Sequence, residues 1–376
     1  MNPKWKFSFI SNPHLSQISP ENPIPFGQNA KYITLNPRKD LYTGHGCFIK
    51  PPTERSHSMS VAKKSELIEE IQKWKTMRNA IILAHNYELP EIQDIADVLG
   101  DSLTLARAGM TTEAEVIVFC GVHFMAETAA MLSPDKTVLL PDLEAGCSLA
   151  DSITAAQLRA WKAEHPEAVV VAYVNTTAEV KAECDYCCTS SNAVQIVESI
   201  PEDQEILFLP DMFLGSYVQR VTGRKNMHIW MGECHVHAGI RAHQVESMFK
   251  KHPDAELLVH PECGCSTSGM YLMAEGALPK SRSHILSTGK MLNHLKHSPS
   301  DEFIVATETG ILYQMEKQNP GKQFVPANPE AVCPFMKMTT LPKVLDALKE
   351  NKHVINVPKD ISEKAKRAIE RMVSIG

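Results

Sequence analysis

Three cysteines, Cys147, Cys234 and Cys333, stand at matching places in a threefold pattern that runs through the chain. Each closes a stretch that opens on a hydroxyl residue: Ser102 to Cys147 is 45 residues, Ser190 to Cys234 is 44, and Ser287 to Cys333 is 46. Between the marks the order of apolar strand, helix and apolar strand recurs, which is the signature of an internal structural repeat. A lone cysteine is ordinarily a small buried apolar residue. Three in equivalent positions converge on one point once the repeats are arranged around an axis.

Three thiolates without a fourth protein ligand exclude a closed structural zinc site and leave a coordination position open. An iron–sulfur cube fits this donor set better, because soft thiolates select it and three ligands leave one iron free. That iron can polarise a substrate oxygen as a Lewis acid. The separations of 87 and 99 residues (147 to 234, 234 to 333) differ from the clustered cysteines of electron-carrying ferredoxins, so substrate chemistry is favoured. Cys184, Cys187 and Cys188 lie close in sequence, but Cys187 and Cys188 fall on a short strand leading to Ser190. Cys263 and Cys265 follow a strand end and form a candidate redox pair, while Cys47 and Cys120 read as structural. His235 and His237 follow Cys234; one is expected to hydrogen bond near the bound group and the other to pack.

The elements that position these groups are legible in outline. AIILAHNY is a strand ending in His85 and Tyr87, PEIQDIADVLG reads as a helix before Asp101-Ser102, and EVIVFCGV, FMAETAAML and TVLLPD follow as strand, helix and strand. AVVVAYVNTT ends at Tyr173 and Asn175, TSSNAV supplies Ser190, and EILFLPD and MHIWMGE are strands. AELLVHPEC ends at His260 and Glu262, LSTGKM supplies Ser287 and Thr288, and FIVATETG and KQFVPANPE complete the third copy. Short strands alternating with helices imply right-handed crossovers and parallel sheets. The predicted fold is therefore α/β: three homologous α/β/α units with parallel sheets around a pseudo-threefold axis. Ligands in such sheets bind beyond the carboxyl ends of the strands, which places a central cavity there.

The expected divisions are a poorly ordered extension over 1–60, units over 61–165, 166–252 and 253–345, and a helical tail over 346–376. Met59 is expected to open the folded chain, and an amphipathic helix from Ser65 carries capping-box residues. From His260 to Ser287 there are 27 residues, against 17 from His85 to Ser102 and 15 from Asn175 to Ser190, so the third unit carries an insertion. A chain of 376 residues with 38 basic and 44 acidic side chains, net −6, argues against nucleic-acid or membrane-surface partners. No apolar run reaches membrane-spanning length and no secretory signal is read, so the expected compartment is the cytoplasm, with reduced thiols.

HNY with GDSL, YVNTTAEVKA with TSSNAV, HPEC with STGKM, and the cysteines in AGCSLAD, GECHVH and AVCPFMKM closely resemble the A-type quinolinate synthases. The likeness runs from about residue 78 to 345 and continues to the end. It implies a transferase that condenses iminoaspartate with dihydroxyacetone phosphate to quinolinate, releasing phosphate and two waters, in NAD (pyridine nucleotide) biosynthesis. It further implies one [4Fe–4S] cluster per chain on Cys147, Cys234 and Cys333 with one open iron, and a functional link to L-aspartate oxidase. Tyr87, Glu262, His85 and His260 become the acid–base set. Ser102, Tyr173, Asn175, Ser190, Ser287 and Thr288 join His85, His260 and Glu262 as substrate contacts. A non-catalytic iron–sulfur sensor would lack those acid–base groups, and an aconitase-type hydratase has a different order of motifs. Cys263 and Cys265 at the head of the insertion suggest a regulatory thiol pair.

Overall fold

The computed structural model describes residues 61–274, 276 and 278–376. The expectations for residues 1–60, including Cys47 and Met59, lie outside the described residues. Among the described residues, twelve strands form three four-stranded parallel sheets. The first holds β1 (Ala80–His85), β2 (Val98–Gly100), β3 (Val116–Cys120) and β4 (Thr137–Leu139), in the order β2-β1-β3-β4. The second holds β5 (Val169–Tyr173), β6 (Tyr186–Cys188), β7 (Ile206–Leu209) and β8 (Met227–Ile229), in the order β6-β5-β7-β8. The third holds β9 (Glu256–Val259), β10 (Ser283–Ile285), β11 (Glu302–Ala306) and β12 (Gln323–Pro326), in the order β10-β9-β11-β12. The sheets are three copies of one topology, as the repeat requires.

The central strands are continuous apolar runs because helices cover both faces of a parallel sheet. Ile82, Leu83, Val170, Val171, Leu257 and Leu258 are all buried. Two features depart from the sequence reading. The helix expected over PEIQDIADVLG stops at Ile95, and Val98–Gly100 is an edge strand. Asp97 causes the switch: its amide donates to the Ile82 carbonyl at 2.9 Å and its carboxylate accepts from the Ile82 amide at 2.8 Å. Asp185 makes the same pair of bonds with Val170, at 3.0 and 2.9 Å, ahead of β6. The first described helix spans Val61–Met77, so Ser65 lies a turn inside it and does not cap it.

The insertion folds as a helix over Ser266–Ala274 and a short turn of 3-10 helix before β10. Leu341–Glu350 packs with the Val61–Met77 helix over the first sheet, so the expected boundary at 345 falls inside a helix. Lys359–Ser374 buries Ala365, Ala368, Ile369 and Met372 in the main core shared by the sheets. Among the described residues no helix is long and apolar enough to cross a membrane.

Phe208 on central strand β7 is fully buried, and its ring edge lies 3.0 Å from where a Cβ on Gly215 would stand, so the glycine beside it offers no side chain to fill its place. Phe208→Ala is expected to cost about 3–5 kcal/mol, read as a lower urea midpoint at unchanged slope.

Candidate active site

The carboxyl ends of the three sheets open onto one cavity. Each sheet sends it equivalent groups, and strand register identifies them. Ala84 pairs with Cys120, Ala172 with Leu209 and Val259 with Ala306, so His85, Tyr173 and His260 are counterparts one residue further on. Two residues beyond these stand Tyr87, Asn175 and Glu262. On the neighbouring edge strands, His85 lies opposite Gly100 and Tyr173 opposite Cys188, while Val259 lies opposite Ile285. The counterpart of Ser102 and Ser190 is therefore Thr288.

Ser102, Ser190 and Thr288 all line the cavity, and Ser102 and Thr288 each begin a helix. Ser287 does not line it. It caps the Thr288–Leu295 helix, accepting from the Lys290 amide at 3.4 Å, and its hydroxyl meets that of Ser191 at 2.8 Å. A cap accepts with its side-chain oxygen turned toward its own helix, which removes Ser287 from the substrate side. Asp101 is the equivalent cap in the first unit and accepts from Ser191 at 2.6 Å, so Asp101, Ser191 and Ser287 join the first turns of all three units.

Cys147, Cys234 and Cys333 line the same cavity, although 87 and 99 residues separate them in sequence (147 to 234, 234 to 333). Burial, with a smaller contribution from Cys333, pushes the Cys147 thiol up to about 12. Burial pushes Cys333 up to about 11, and burial and the Glu262 charge raise Cys234. Three thiolates so placed repel one another in a poorly solvated space, and a cationic centre removes that cost. The donor set fits a soft metal centre. Cys187 and Cys188 are buried on β6, and Cys184 donates to the Val180 carbonyl at 3.0 Å, so these three lie away from the cavity. Cys263 and Cys265, the candidate redox pair, are joined as a disulfide directly after Glu262.

A buried hydrogen-bonded chain crosses the cavity wall. Tyr87 Oη lies 2.5 Å from Thr307 Oγ1, which lies 2.9 Å from His237 Nε2. His237 Nδ1 lies 3.2 Å from Glu262 Oε2 and 3.3 Å from Cys234 Sγ. Tyr173 donates to Glu262 Oε1. One proton arrangement satisfies every member: Tyr87 donates to Thr307, Thr307 to His237, and His237 Nδ1–H to Glu262. Burial, aided by His85 and His235, pulls His237 down to about 3, so its contact with Glu262 is a hydrogen bond between a neutral imidazole and the carboxyl group. Burial pushes the Glu262 carboxyl up to about 7 against the opposing bond from Tyr173. Burial also raises both tyrosines, with Glu262 adding to the effect.

His85 and His260 are held alike. Each Nδ1 accepts a backbone amide two residues on, Tyr87 at 3.2 Å and Glu262 at 3.4 Å, which leaves the proton on Nε2. Burial pulls His85 down to about 4, with Asp101 opposing, and holds His260 well below its usual range. Both are neutral N–H donors at pH 7, and His260 Nε2 reaches Ser190 Oγ at 3.2 Å. Asn175 Oδ1 is buried with no hydrogen-bond partner among the described residues, an acceptor that a ligand can satisfy.

Several supporting residues were missed in the sequence. Thr307 and Glu308 follow β11 at the same strand-end position that singles out the other site residues, in TETG. Glu308 accepts from the Cys333 amide at 3.0 Å and the Gly310 amide at 2.7 Å. Lys337 sits 3.0 Å from Glu308 and donates to the Tyr87 carbonyl, tying the Cys333 loop to the first unit. His235 and His237 both line the cavity, and His235 contacts Ser148 Oγ at 2.6 Å.

Because the folded-state pKa of Glu262 is raised from 4.5 to about 7, its contribution to stability is fully present below about 4.5 and is lost as pH rises through 7. Glu262→Gln removes this dependence. Relative to that variant, the wild type is expected to lose stability between pH 4.5 and 7, measured as urea midpoints across the range.

Comparison with known proteins agrees with this geometry. A family model described as quinolinate synthetase A protein matches residues 69–374. The chain is 56% identical over 316 residues to a quinolinate synthase of Mycobacterium sp. (strain KMS), covering 84% of this chain and 94% of that protein. It is 55% identical over 310 residues to a quinolinate synthase of Thermus thermophilus, covering 82% and 97%. It is 56% identical over 307 residues to that of Mycobacterium leprae (strain TN), covering 82% and 87%. With three copies of one sheet topology around a shared cavity and a match across most of its length, this chain belongs to the quinolinate synthetase A family.

Proposed function

We propose that this chain is a quinolinate synthase that condenses iminoaspartate with dihydroxyacetone phosphate, releasing phosphate and two waters, as a transferase of NAD biosynthesis. The observation that carries the reading is the meeting of Cys147, Cys234 and Cys333 with Tyr87, His237 and Glu262 in one cavity. Cys147, Cys234 and Cys333 would hold a [4Fe–4S] cluster, which when bound supplies a Lewis-acidic iron to a substrate oxygen. The proposed units are 61–165, 166–252 and 253–345, followed by a helical tail over 346–376, with the Leu341–Glu350 helix crossing the last boundary. A functional link to an L-aspartate oxidase follows from the iminoaspartate requirement.

The remaining work falls to the chain's own side chains. Ser102 and Thr288 stand in the first turns of their helices, where free backbone amides and the helix dipole favour phosphate or carboxylate oxygens. The Nε2–H groups of His85 and His260 donate to the same class of oxygen without carrying charge, and Ser190 extends that row. Asn175 Oδ1 accepts from an N–H or O–H of substrate. Glu262, poised near neutrality, donates and accepts protons during imine formation, dehydration and ring closure. The Thr307 and His237 links carry protons between Tyr87 and Glu262, so both ends can be reset during one turnover.

Anaerobic purification, iron and sulfide analysis, and assay with oxaloacetate, ammonia and dihydroxyacetone phosphate test the reading. Protein holding about four irons per chain is expected to form quinolinate, and its failure to do so overturns the proposal. Cys147→Ala is expected to lose the cluster and Cys187→Ala to retain it, followed by iron content and visible absorption. Glu262→Gln is expected to keep the cluster while kcat falls about 100- to 10,000-fold.

A further inference from the structure

The opposite edge of the third sheet carries a second concentration of ligand-type side chains. Glu256 opens β9, His284 stands on the adjacent β10, and His294 lies in the last turn of the Thr288–Leu295 helix. One ligand atom of each lies within 4.8 Å of those of the other two. His294 Nε2 is 2.6 Å and His284 Nε2 is 3.4 Å from Glu256 Oε2, and the two rings lie 4.3 Å apart between centroids. Glu256 is 8% exposed at its side chain and each histidine 27%, so the group is recessed yet reachable from solvent.

The support behind the carboxylate distinguishes this trio from a surface ion pair. Ser298 and Ser300 each donate a hydroxyl to Glu256 Oε1 at 2.6 Å, which fixes the carboxylate and leaves Oε2 for the histidines. Lys322 donates to the carbonyls of Ser298 and Ser300, at 2.7 and 3.0 Å, and braces that loop in turn. Oriented carboxylates of this kind are what outer-shell hydrogen bonds provide around metal ions. Burial pushes the Glu256 carboxyl up, but the bonds from His294, Ser298 and Ser300 outweigh it and hold the group ionised down to about 2. Burial and the neighbouring His294 lower His284, which keeps its nitrogen lone pair free at neutral pH. A comparable trio, His165, Glu205 and His228, directs both histidines at one oxygen of a more exposed carboxylate, and among the described residues no hydroxyl holds the other oxygen.

We propose that Glu256, His284 and His294 form a binding site for a borderline divalent transition ion of the zinc type, separate from the cysteine-lined cavity. Two imidazoles and one carboxylate are an established donor set for such an ion, with a water completing the shell. Tetrahedral ligands at about 2.0–2.2 Å from the metal stand roughly 3.3–3.5 Å apart, which the Glu256–His284 separation already meets. The His294 side opens by less than about 1 Å, as its proton moves from Nε2 to Nδ1 and the Nε2 lone pair turns to the metal. The ion would clip β9, β10 and the end of the helix whose first turn carries Thr288.

Equilibrium dialysis of the cluster-loaded enzyme against zinc tests the site, comparing wild type with His284→Asn/His294→Asn. The wild type is expected to bind one more zinc ion per chain than the double variant. Ser300→Ala, which keeps all three ligands, is expected to weaken that ion's binding about tenfold. Zinc-edge anomalous scattering from wild-type crystals is expected to show a peak between Glu256, His284 and His294. Equal zinc uptake by the two proteins, or no anomalous peak there, overturns the proposal whatever the result of the quinolinate assay.

Discussion

Glu262 is the point on which the cavity depends. Its carboxyl group takes Tyr173 on one oxygen and His237 on the other, and His237 continues through Thr307 to Tyr87. These groups come from all three sheets, so a single buried acid joins the three units at their carboxyl ends. Burying a carboxyl group without partners costs several kcal/mol, and the chain of donors is what makes the position tolerable. The same burial brings its proton affinity close to neutrality. The requirement to satisfy a buried acid and the requirement for a proton donor near pH 7 are met by one arrangement.

The net charge of −6 is compatible with the proposed binding of anionic substrates because the pocket offers dipoles in place of formal cations. His85 and His260 present neutral N–H groups, and two helices begin at the cavity on Ser102 and Thr288. Lys337, whose charge is felt at His85, is occupied with Glu308 and the Tyr87 carbonyl. Oriented donors in a poorly solvated site hold an anion without the desolvation cost of a buried ammonium.

The fold class, the threefold repeat and the three cysteines were legible because strand periodicity and equivalent spacing survive divergence of the units. Register at single-residue precision was not. The insertion between His260 and β10 obscured that Thr288, one place after the expected Ser287, matches Ser102 and Ser190. Likewise Tyr173, two places before Asn175, is the true partner of His85 and His260. Val98–Gly100 escaped notice as a strand because three residues are too few to show a period, and the pairing of Asp97 with Ile82 that creates it is a tertiary contact. Thr307 and Glu308 share the strand-end position of the other site residues, but their part, like that of Lys337, rests on buried hydrogen bonds between distant segments.

The placement of one thiol in each unit also bears on the order of folding. Each sheet is built from crossovers between strands that are near in sequence, so strand pairing within a unit closes shorter loops than docking between units. The cavity is closed by contacts between units, such as Tyr173 with Glu262 and Tyr87 with Thr307, and closing such long loops is the slow part of reaching a native state. Cys147, Cys234 and Cys333 come within reach of one another only after the three sheets have docked. With the proposed cluster on these cysteines, maturation of the centre would be a checkpoint on assembly: a chain with one misfolded unit could not present all three thiols, and the metal would be committed only to molecules that have finished folding.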